Sequence, residues 1–421
     1  MKIAVMGGIR RIEEVKEVFS KGTEVVFYID NNTQLSGGKF RDKKIYSPYD
    51  FPRDCIDCIV IFIYNYMAVN QQLIDLGVDS DCIINFNDPN MIFEEYTNIF
   101  NVDIADRLRL KFKIDHLCGR IKALEEKQKY FEQNYLYEAI DKLRNKTINI
   151  PKICSVEKTC EKIISEKCSI SRYGDGEFQI ILGNAKDVYQ NDNVHLAARL
   201  RDILTSNLQN HIVALADDYG AMEGLRDENK DTIRRYMTEE KRQAHYTLLD
   251  MNKEYYNAYI SRPYVIYPHE DTEKARKRFD DLKKIWDKQN VLLVEGDKTR
   301  MGVGNDLFSN ARKIERILAP NENAFDMYDE IYDIVLKYGG SKVILIALGP
   351  TATVLAYDLA RAGYWALDIG HLDLEYEWFL KGKGYSYITN KYNNEMLGDT
   401  VVGDIDDESY SKSIVEIISR K

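Results

Sequence analysis

The sequence predicts an α/β protein in which a small Rossmann-like α/β domain and a helical linker precede a larger Rossmann-like domain. Two observations support this class. Short apolar runs alternate with helical patterns at both ends of the chain, as in parallel sheets covered by helices, and a long polar helical pattern separates the two regions. The 421 residues allow two or three domains. We expect them at residues 1–100, 101–150 (the linker) and 151–421.

Composition limits the class of protein. The net charge is −10 and acidic and basic residues interleave, which disfavours a nucleic-acid partner. No apolar run approaches the ~20 residues of a transmembrane helix, and the first residues lack the pattern of a signal peptide. The seven cysteines are scattered, and even Cys55 and Cys58 are expected to be ordinary reduced thiols. The sequence therefore predicts a cytoplasmic protein without a transmembrane segment.

The N-terminal region alternates predicted strands with predicted helices. The strands are Ile3–Met6, Glu24–Ile29, Cys58–Ile63 and Cys82–Asn85, and the helices are Arg11–Ser20 and Met67–Leu76. Gly7 and Gly8 follow the first strand and Asp30 follows the second, as in a dinucleotide-binding fold, although the full GxGxxG spacing is absent. One alternative function is therefore an NAD-dependent enzyme that modifies nucleotide sugars. The alternative is that Asp30 is an ordinary turn residue and binds no ligand.

The linker is predicted as one long polar helix over residues 104–144, ended by a break at Asn145–Pro151. Its apolar side chains recur at heptad-like spacing, at Leu110, Ile114, Leu117, Ile121, Leu124 and Phe131. This pattern is typical either of a coiled coil that forms a homodimer or of a helix packed along one domain. A non-enzymatic scaffold that joins partners through this helix is a further alternative.

The first motif with candidate functional residues is SRYGDGEF, which starts in the predicted strand Ser169–Tyr173. Asp175 and Glu177 lie two residues apart at the end of this strand, so both carboxylates can address one ion. Mg²⁺ and Mn²⁺ take one or two carboxylates and complete their coordination with diphosphate oxygens and water. Taken alone, the pair is more typical of an acidic turn at the end of a strand.

The second motif is VLLVEGDKTRMGVGNDLF, an apolar strand followed by a loop with Lys298, Arg300 and three glycines. Asn305 or Asp306 is predicted to cap a helix that contains Ile314. Cationic side chains and closely approaching backbone N–H groups suit a phosphate. The loop therefore predicts a phosphate contact, with an ordinary charged surface loop as the alternative.

The third motif follows the predicted strand Val343–Ala347. Gly349 and a proline make a turn, and Thr351 or Thr353 is predicted to open the next helix. Ligands of open α/β sheets bind at the carboxyl ends of strands near helix N-termini, so hydroxyl and N–H groups here suit phosphate or sugar hydroxyls.

The fourth motif follows the predicted strand Trp365–Ile369 and contains His371, Asp373 and Glu375 beside aromatic residues. A hydroxyl that attacks a sugar must lose its proton as the new bond forms, and a carboxylate or histidine can accept it. Any one of the three is therefore a candidate catalytic base.

In this order the four motifs resemble the glycosyltransferases of the GT-D fold, a bacterial family long described as a domain of unknown function. SRYGDGEF, VEGDKTRMGVGNDLF, ALGPTATVLAYDLA and DIGHLDLEYEWFL fall between about Lys152 and Tyr385. The resemblance implies a GT-D-type catalytic domain, a divalent metal (Mn²⁺ or Mg²⁺) and a nucleotide-diphosphate sugar such as a UDP-hexose, with glucose as one candidate. It also implies a glycan or glycosylated-protein acceptor in the assembly of cell-surface polysaccharide or glycoprotein.

The resemblance also suggests roles for residues of this chain. Asp175 and Glu177 coincide with the family's DxE metal motif, and His371, Asp373 or Glu375 would act near the acceptor. Asp217, after the predicted strand Ile212–Ala216, is explained nearly as well by a turn. The residues expected to bind the donor are Arg172, Asp217, Arg262, Lys298, Arg300, Asn305, Gly349, Thr351 and Thr353.

Overall fold

The computed structural model describes residues 1–7, 16–32, 34–143, 149–184, 193–384, 389–393 and 402–419. The chain divides into two compact units, Met1–Glu126 and Lys127–Lys421. The division falls inside the long helix that the sequence analysis treats as a separate linker, so each unit includes part of that helix.

The N-terminal unit contains a six-stranded sheet. Its strands are β1 Lys2–Met6, β2 Glu24–Ile29, β3 Lys39–Phe40, β4 Lys43–Tyr46, β5 Cys58–Ile61 and β6 Ile83–Asn85. They lie in the order β3-β4-β2-β1-β5-β6, and only the β3–β4 pair is antiparallel. The parallel sheet that the alternation of strands and helices predicts is therefore present. Helix α1, Met67–Asp75, follows β5.

Two of the N-terminal predictions concern the ends of β1 and β2. Asp30 accepts a hydrogen bond from the backbone N–H of Asn32 over 2.8 Å, which is the turn role considered above. Residues 8–15, which include Gly8 and the first half of the predicted helix Arg11–Ser20, lie outside the described residues. The described end of that segment, Lys16–Val18, is a single 3₁₀ turn.

Helix α2 runs from Val102 to Leu143. Ala105, Leu108 and Phe112 on one face are buried in the core of the N-terminal unit. The heptad positions Leu110 to Leu124 lie on the opposite face and are exposed. Among the described residues, no helix is both long enough and apolar enough to cross a membrane.

The C-terminal unit contains a nine-stranded sheet. Its strands are β7 Lys152–Ile153, β8 Ser169–Tyr173, β9 His211–Leu215, β10 Glu254–Asn257, β11 Asn290–Gly296, β12 Lys313–Ala319, β13 Val343–Ala347, β14 Trp365–Asp368 and β15 Ile414–Ile417. They lie in the order β15-β12-β11-β13-β14-β8-β9-β10-β7, and every pair is parallel.

Helices cover this sheet. They are α3 Val156–Glu166, α4 Asp175–Ile181, α5 Val194–Leu204, α6 Asp227–Tyr236, α7 Glu239–Leu248, α8 Thr272–Trp286, α9 Tyr328–Gly339, α10 Pro350–Arg361, α11 Leu372–Lys381 and α12 Glu408–Ser413. Alternate residues of a strand point to opposite faces, and in β11 Val291 and Leu293 join one core cluster while Leu292 and Val294 join another. The sheet is therefore buried on both faces, as its continuous apolar strands predict.

The chain changes direction within this sheet at β8. From β8 it continues to β9 on one side, and it later returns to place β14 on the other side. Connections that leave neighbouring parallel strands in opposite directions open a crevice at the carboxyl ends of those strands. This edge is therefore where a ligand site is expected.

One predicted element is wrong. The segment after Asn305 does not form a helix through Ile314; residues Lys313–Ala319 form β12, which pairs with β11 and β15. Asn305 instead accepts a hydrogen bond from Leu307 N over 3.0 Å and closes a short turn. Pairing with two strands, which no local pattern reveals, overrides the helical spacing.

Strand β12 also carries a buried ion pair. Arg316 Nη1 lies 2.5 Å from Glu295 Oε1, both side chains are nearly inaccessible, and Glu295 Oε2 accepts a hydrogen bond from Met301 N over 2.6 Å. The pair therefore connects the end of β11 to its loop and to β12.

Replacing Arg316 with methionine should lower the free energy of unfolding by about 3–5 kcal/mol, because Glu295 would stay buried without its counter-ion. Urea denaturation measures this change. The matched control is Lys313→Met, which removes an ion pair of 2.6 Å whose lysine is 65% exposed and should cost less than about 1 kcal/mol. Equal losses in the two variants would contradict the role assigned to burial.

Candidate active site

A cavity of about 370 Å³ opens at the carboxyl edge of the nine-stranded sheet. Strands β11, β13, β14, β8 and β9 each contribute a small residue at or just after their carboxyl ends. In the same order, these residues are Gly296, Gly349, Gly370, Gly174 and Ala216. Small residues at these positions leave room for a ligand near the backbone. The cavity therefore lies where the change of chain direction at β8 predicts a site.

The structure brings half of the predicted site residues into this cavity. Those that line it are Arg172, Asp175, Glu177, Arg262, Gly349, His371 and Asp373. Among the described residues, the predicted positions outside the cavity lining are Asp217, Lys298, Arg300, Asn305, Thr351, Thr353 and Glu375.

The two carboxylates of the DxE motif begin helix α4. Asp175 is its first residue and is exposed, and Glu177 lies in the same turn. Gly174 N donates a hydrogen bond of 2.8 Å to Glu177 Oε2, which satisfies one of the free N–H groups at the helix start. This bond fixes the Glu177 carboxylate at the rim of the cavity.

A third carboxylate, Asp218, shares the cavity. Burial raises the pKa of Glu177 to about 7, with a smaller contribution from Asp368. Burial also raises the pKa of Asp218 to about 7, and the charges of Asp217 and Asp175 add to this increase. Tyr259 donates a hydrogen bond to Asp218. This side of the cavity therefore carries negative charge in a poorly solvated position.

The carboxylates of the cavity suit a divalent cation only if the cation also binds substrate phosphates and water. In the described part of the chain, no lysine or arginine forms an ion pair with Asp175, Glu177 or Asp218. The described residues also contain no group of three or more metal-ligating side chains. A cation that binds mainly through substrate phosphates and water needs one or two protein carboxylates, and Asp175 with Glu177 fits that requirement.

Arg172 is the fixed cation of the site. Its Nε donates to the Asp368 carbonyl over 2.8 Å, Nη2 lies 2.6 Å from Asp368 Oδ1, and Nη1 donates to Ser261 Oγ over 2.6 Å. Gly370 has φ +48° in the left-handed region, and a Cβ atom there would lie 2.3 Å from Arg172 Nη2. Glycine at this position therefore makes room for the guanidinium.

Glu375, one of the three candidate bases, is fully buried. Its Oε2 accepts hydrogen bonds from Tyr264 N and Val265 N over 3.1 and 2.8 Å, and its Oε1 lies 3.3 Å from Arg262 Nη1. These contacts hold the turn that carries Arg262 at the cavity wall.

Asp373 lines the cavity but its oxygens are engaged. Oδ1 accepts hydrogen bonds of 2.8 Å from Gly302 N and from Asn305 Nδ2, and Oδ2 lies 2.6 Å from Lys391 Nζ. Although burial opposes it, the charges of Asp373 and Glu377 raise the pKa of Lys391. A carboxylate held by three donors is a weak proton acceptor. His371, the residue before helix α11, also lines the cavity.

Lys298 and Arg300 bind backbone carbonyls of the C-terminal segment. Arg300, which is 4% exposed, donates to Asn390 O and Gly403 O over 2.9 and 2.6 Å, and Lys298 Nζ lies 3.4 Å from Val402 O. We name residues 389–393 the strap; Tyr392 within it lines the cavity. The Arg300 side chain thus holds the strap at Asn390, whereas the Lys298 side chain contacts the segment that is described from residue 402 onward.

The two threonines of the third motif do not cap helix α10. The helix begins at Pro350 after Gly349, and Thr351 and Thr353 are fully buried inside its first turn. Thr353 Oγ1 donates to Arg172 O over 3.1 Å, so this hydroxyl supports the arginine and not a ligand. Asp217 accepts a hydrogen bond of 3.4 Å from Asn257 Nδ2.

Several residues that line the cavity are not indicated by the sequence motifs. They are Asp218, Asn229, Thr232, Tyr236, Tyr259, Asn321 and Tyr392. Asp218 lies beside Asp217 after a predicted strand, so its position at a strand end also indicates a place near the ligand site. Three of the others lie on α6, whose polar sequence DENKDTIRRY is typical of a solvated helix.

Fold and site together define a class of protein. A fully parallel sheet with helices on both faces binds its ligand at the carboxyl edge, and here that edge holds a carboxylate pair, a fixed arginine and two helix N-termini. This is an α/β domain suited to phosphate-containing ligands. The family model described as glycosyltransferase GT-D fold matches residues 170–396, and the chain belongs to this family of glycosyltransferases.

Individual relatives agree with this assignment. The chain is 35% identical over 276 residues to a protein named glycosyltransferase GlyD from Streptococcus pneumoniae, and 33% identical over 271 residues to a probable glycosyl transferase Gly from Streptococcus gordonii. Each match covers 64% of this chain but only 33% and 39% of those proteins. The chain therefore spans little more than a third of the length of these curated relatives.

Solved structures give the same family. A structure described as a new glycosyltransferase (DUF1792) from Streptococcus sanguinis is 33% identical, with a TM-score of 0.60, and all of it aligns with 64% of this chain. A second, described as domain of unknown function 1792 with a distinct glycosyltransferase fold, gives a TM-score of 0.59 at 33% identity and 96% coverage of its own length.

The raised pKa of Asp218, about 7, predicts a pH-dependent stability. An unfolded aspartate ionises near pH ~4, so between pH ~4 and ~7 the native state keeps a proton that the unfolded state has lost, and wild-type stability falls as pH rises. In metal-free buffer, the stability of Asp218→Asn relative to wild type should therefore increase as the pH rises through this range and should then stay constant. Denaturation midpoints at several pH values measure this.

The control for this pH series is Asp227→Asn. Lys230 lowers the pKa of the exposed Asp227, so the wild-type carboxylate stabilises the fold above pH ~4 and the variant should lose stability relative to wild type there. A difference between Asp218→Asn and wild type that does not change with pH would refute the assigned shift.

Proposed function

We propose that this chain transfers a hexose from a nucleotide-diphosphate donor to a glycan or glycosylated-protein acceptor in a reaction that requires Mn²⁺ or Mg²⁺. The observation that carries the proposal is the meeting of Asp175, Glu177 and Arg172 in one cavity at the carboxyl edge of the sheet. Family membership supports sugar transfer as the reaction. A UDP-sugar, with glucose as the first candidate, is the donor that we infer from the resemblance.

The donor diphosphate is proposed to lie between the two motif carboxylates and Arg172. Asp175 and Glu177 would hold the metal ion, which neutralises charge on the departing diphosphate. Arg172 is held by Asp368 and Ser261, so it presents positive charge to the diphosphate without reorganising. Gly349 at the start of α10 supplies a helix N-terminus, which also favours an anion.

His371 is our proposed base for the acceptor hydroxyl. His371 lines the cavity and is half-buried, whereas Asp373 is held by Lys391 and Glu375 is fully buried outside the cavity lining. A base must be within hydrogen-bond reach of the hydroxyl and must hold an available lone pair. Asp373 and Glu375 are then positioning residues for the loop at Gly302 and for Arg262.

Asp175→Asn should lower kcat/KM for a UDP-hexose by about 100-fold or more, in the range for loss of one electrostatic contact to a transition state. Release of UDP from UDP-glucose in the presence of Mn²⁺ measures the rate. The matched control is Glu157→Gln, which changes an acidic residue in the first turn of α3 outside this cavity and should leave the rate unchanged. Full activity of Asp175→Asn, or full activity with chelator, would remove the metal from the proposal.

Gly370→Ala should lower activity on the order of 100-fold, because displacing a positioned group by about 1 Å costs that much and the new methyl group would collide with Arg172 Nη2. The control is Gly382→Ala, which also has a left-handed φ of +59° but no neighbour within 4 Å of the added Cβ. Equal activity losses would show that backbone strain, and not Arg172, is responsible.

A further inference from the structure

Helix α2 exposes a row of large apolar side chains that the proposed reaction does not use. Their exposed fractions are 59%, 51%, 44%, 54% and 61%, in the order Leu110, Ile114, Leu117, Ile121 and Leu124. We name these five residues the seam. Contiguous apolar surface of this kind marks an interaction site in a soluble protein.

The seam residues occupy heptad positions that are typical of a coiled coil. Its spacings of four and three residues place Ile114 and Ile121 at the a positions, and Leu110, Leu117 and Leu124 at the d positions. In parallel coiled coils, β-branched residues at a combined with leucine at d favour two strands over three or four. The side chains thus indicate two strands if the helices are parallel.

The opposite face of the same helix is already occupied. Ala105, Leu108 and Phe112 are at most 6% exposed and pack in the core of the N-terminal unit. The helix is therefore held in place by its own domain, and the seam is presented outward in a fixed position. Pre-formed helices associate without the cost of ordering the chain.

The charges that flank the seam favour an in-register pair. Arg120 falls at a g position and Glu125 at the following e position, and both are exposed. In a parallel, in-register dimer the g residue of one helix meets the next e residue of the other, so Arg120 would meet Glu125 of the second copy, twice by symmetry. An antiparallel pair centred on Leu117 would instead bring Arg120 towards Lys113, another cation.

We propose that the seam binds a second copy of this chain as a parallel, in-register, two-stranded coiled coil. The occupant is an identical seam because the apolar positions and the flanking charges are complementary to themselves. Two-fold symmetry then joins the N-terminal units of two chains. This property is independent of the sugar-transfer reaction.

The test is the mass of the full chain in solution, measured by sedimentation equilibrium. The wild-type chain should have twice the mass of 48.9 kDa. Placing aspartate at both a positions, Ile114→Asp with Ile121→Asp, should raise the dissociation constant more than about 1,000-fold, a loss of about 4 kcal/mol, and give a monomer. Lys122→Asp, at an exposed position outside the seam, is the control and should remain dimeric.

A charge exchange tests the register. Arg120→Glu and Glu125→Arg should each weaken the dimer about 10-fold, and the two changes together should restore it, because each g position again meets an opposite charge at e. Circular dichroism checks that these exposed substitutions keep the helix. The proposal would be overturned by a monomeric wild-type chain, by a dimer that survives the two aspartates, or by a double charge variant that does not restore the dimer. A monomeric wild-type chain would indicate that the seam binds a different protein.

Discussion

The position of β8 between β14 and β9 is the constraint on which the site depends. The chain continues from β8 to β9 on one side and from β14 to β15 on the other side, so the sheet edge opens between β14 and β8. The pairing of Arg172 with Asp368 bridges the strand ends on either side of that opening. Asp368 is almost fully buried, so its charge must be balanced locally. The Arg172 guanidinium and the N–H of the same residue both donate to it. The same contacts that stabilise the crevice therefore orient its cation.

The sequence predicts those parts of the fold and site that follow from local pattern. Apolar strands bounded by glycine and charged residues indicate β8, β11, β13 and β14 correctly, because fully buried parallel strands have a composition of their own. Once those strands are parallel, the residues after them must share one edge. Asp175, Glu177, Gly349 and His371 meet in one cavity for this reason, and Arg172 joins them from the end of β8.

The remaining features depend on partners that are distant in the chain. Strand β12 needs β11 and β15 on its two sides, and β15 comes from residues 414–417. Lys298 and Arg300 have the composition of a phosphate loop, but their partners are carbonyl groups about a hundred residues later. Asp373 and Glu375 illustrate the same limit, since an acidic residue after a strand can serve a ligand or the fold. Which of the two it serves is decided by tertiary contacts.

The contacts that hold the strap determine which positions of the cavity wall can change in sequence. Arg300 and Lys298 contact main-chain carbonyls of residues 390, 402 and 403, and every amino acid supplies the same carbonyl group. Lys391 adds a side-chain anchor, because its Nζ lies 2.6 Å from Asp373 Oδ2 and 3.0 Å from Glu377 Oε1, but none of these contacts uses the side chain at position 392. Position 392, now tyrosine, faces the cavity and can be exchanged without undoing the attachment. At this position the architecture separates the anchoring of the wall from the surface that it presents, so a single substitution there can change the shape and polarity of the cavity while the scaffold stays intact.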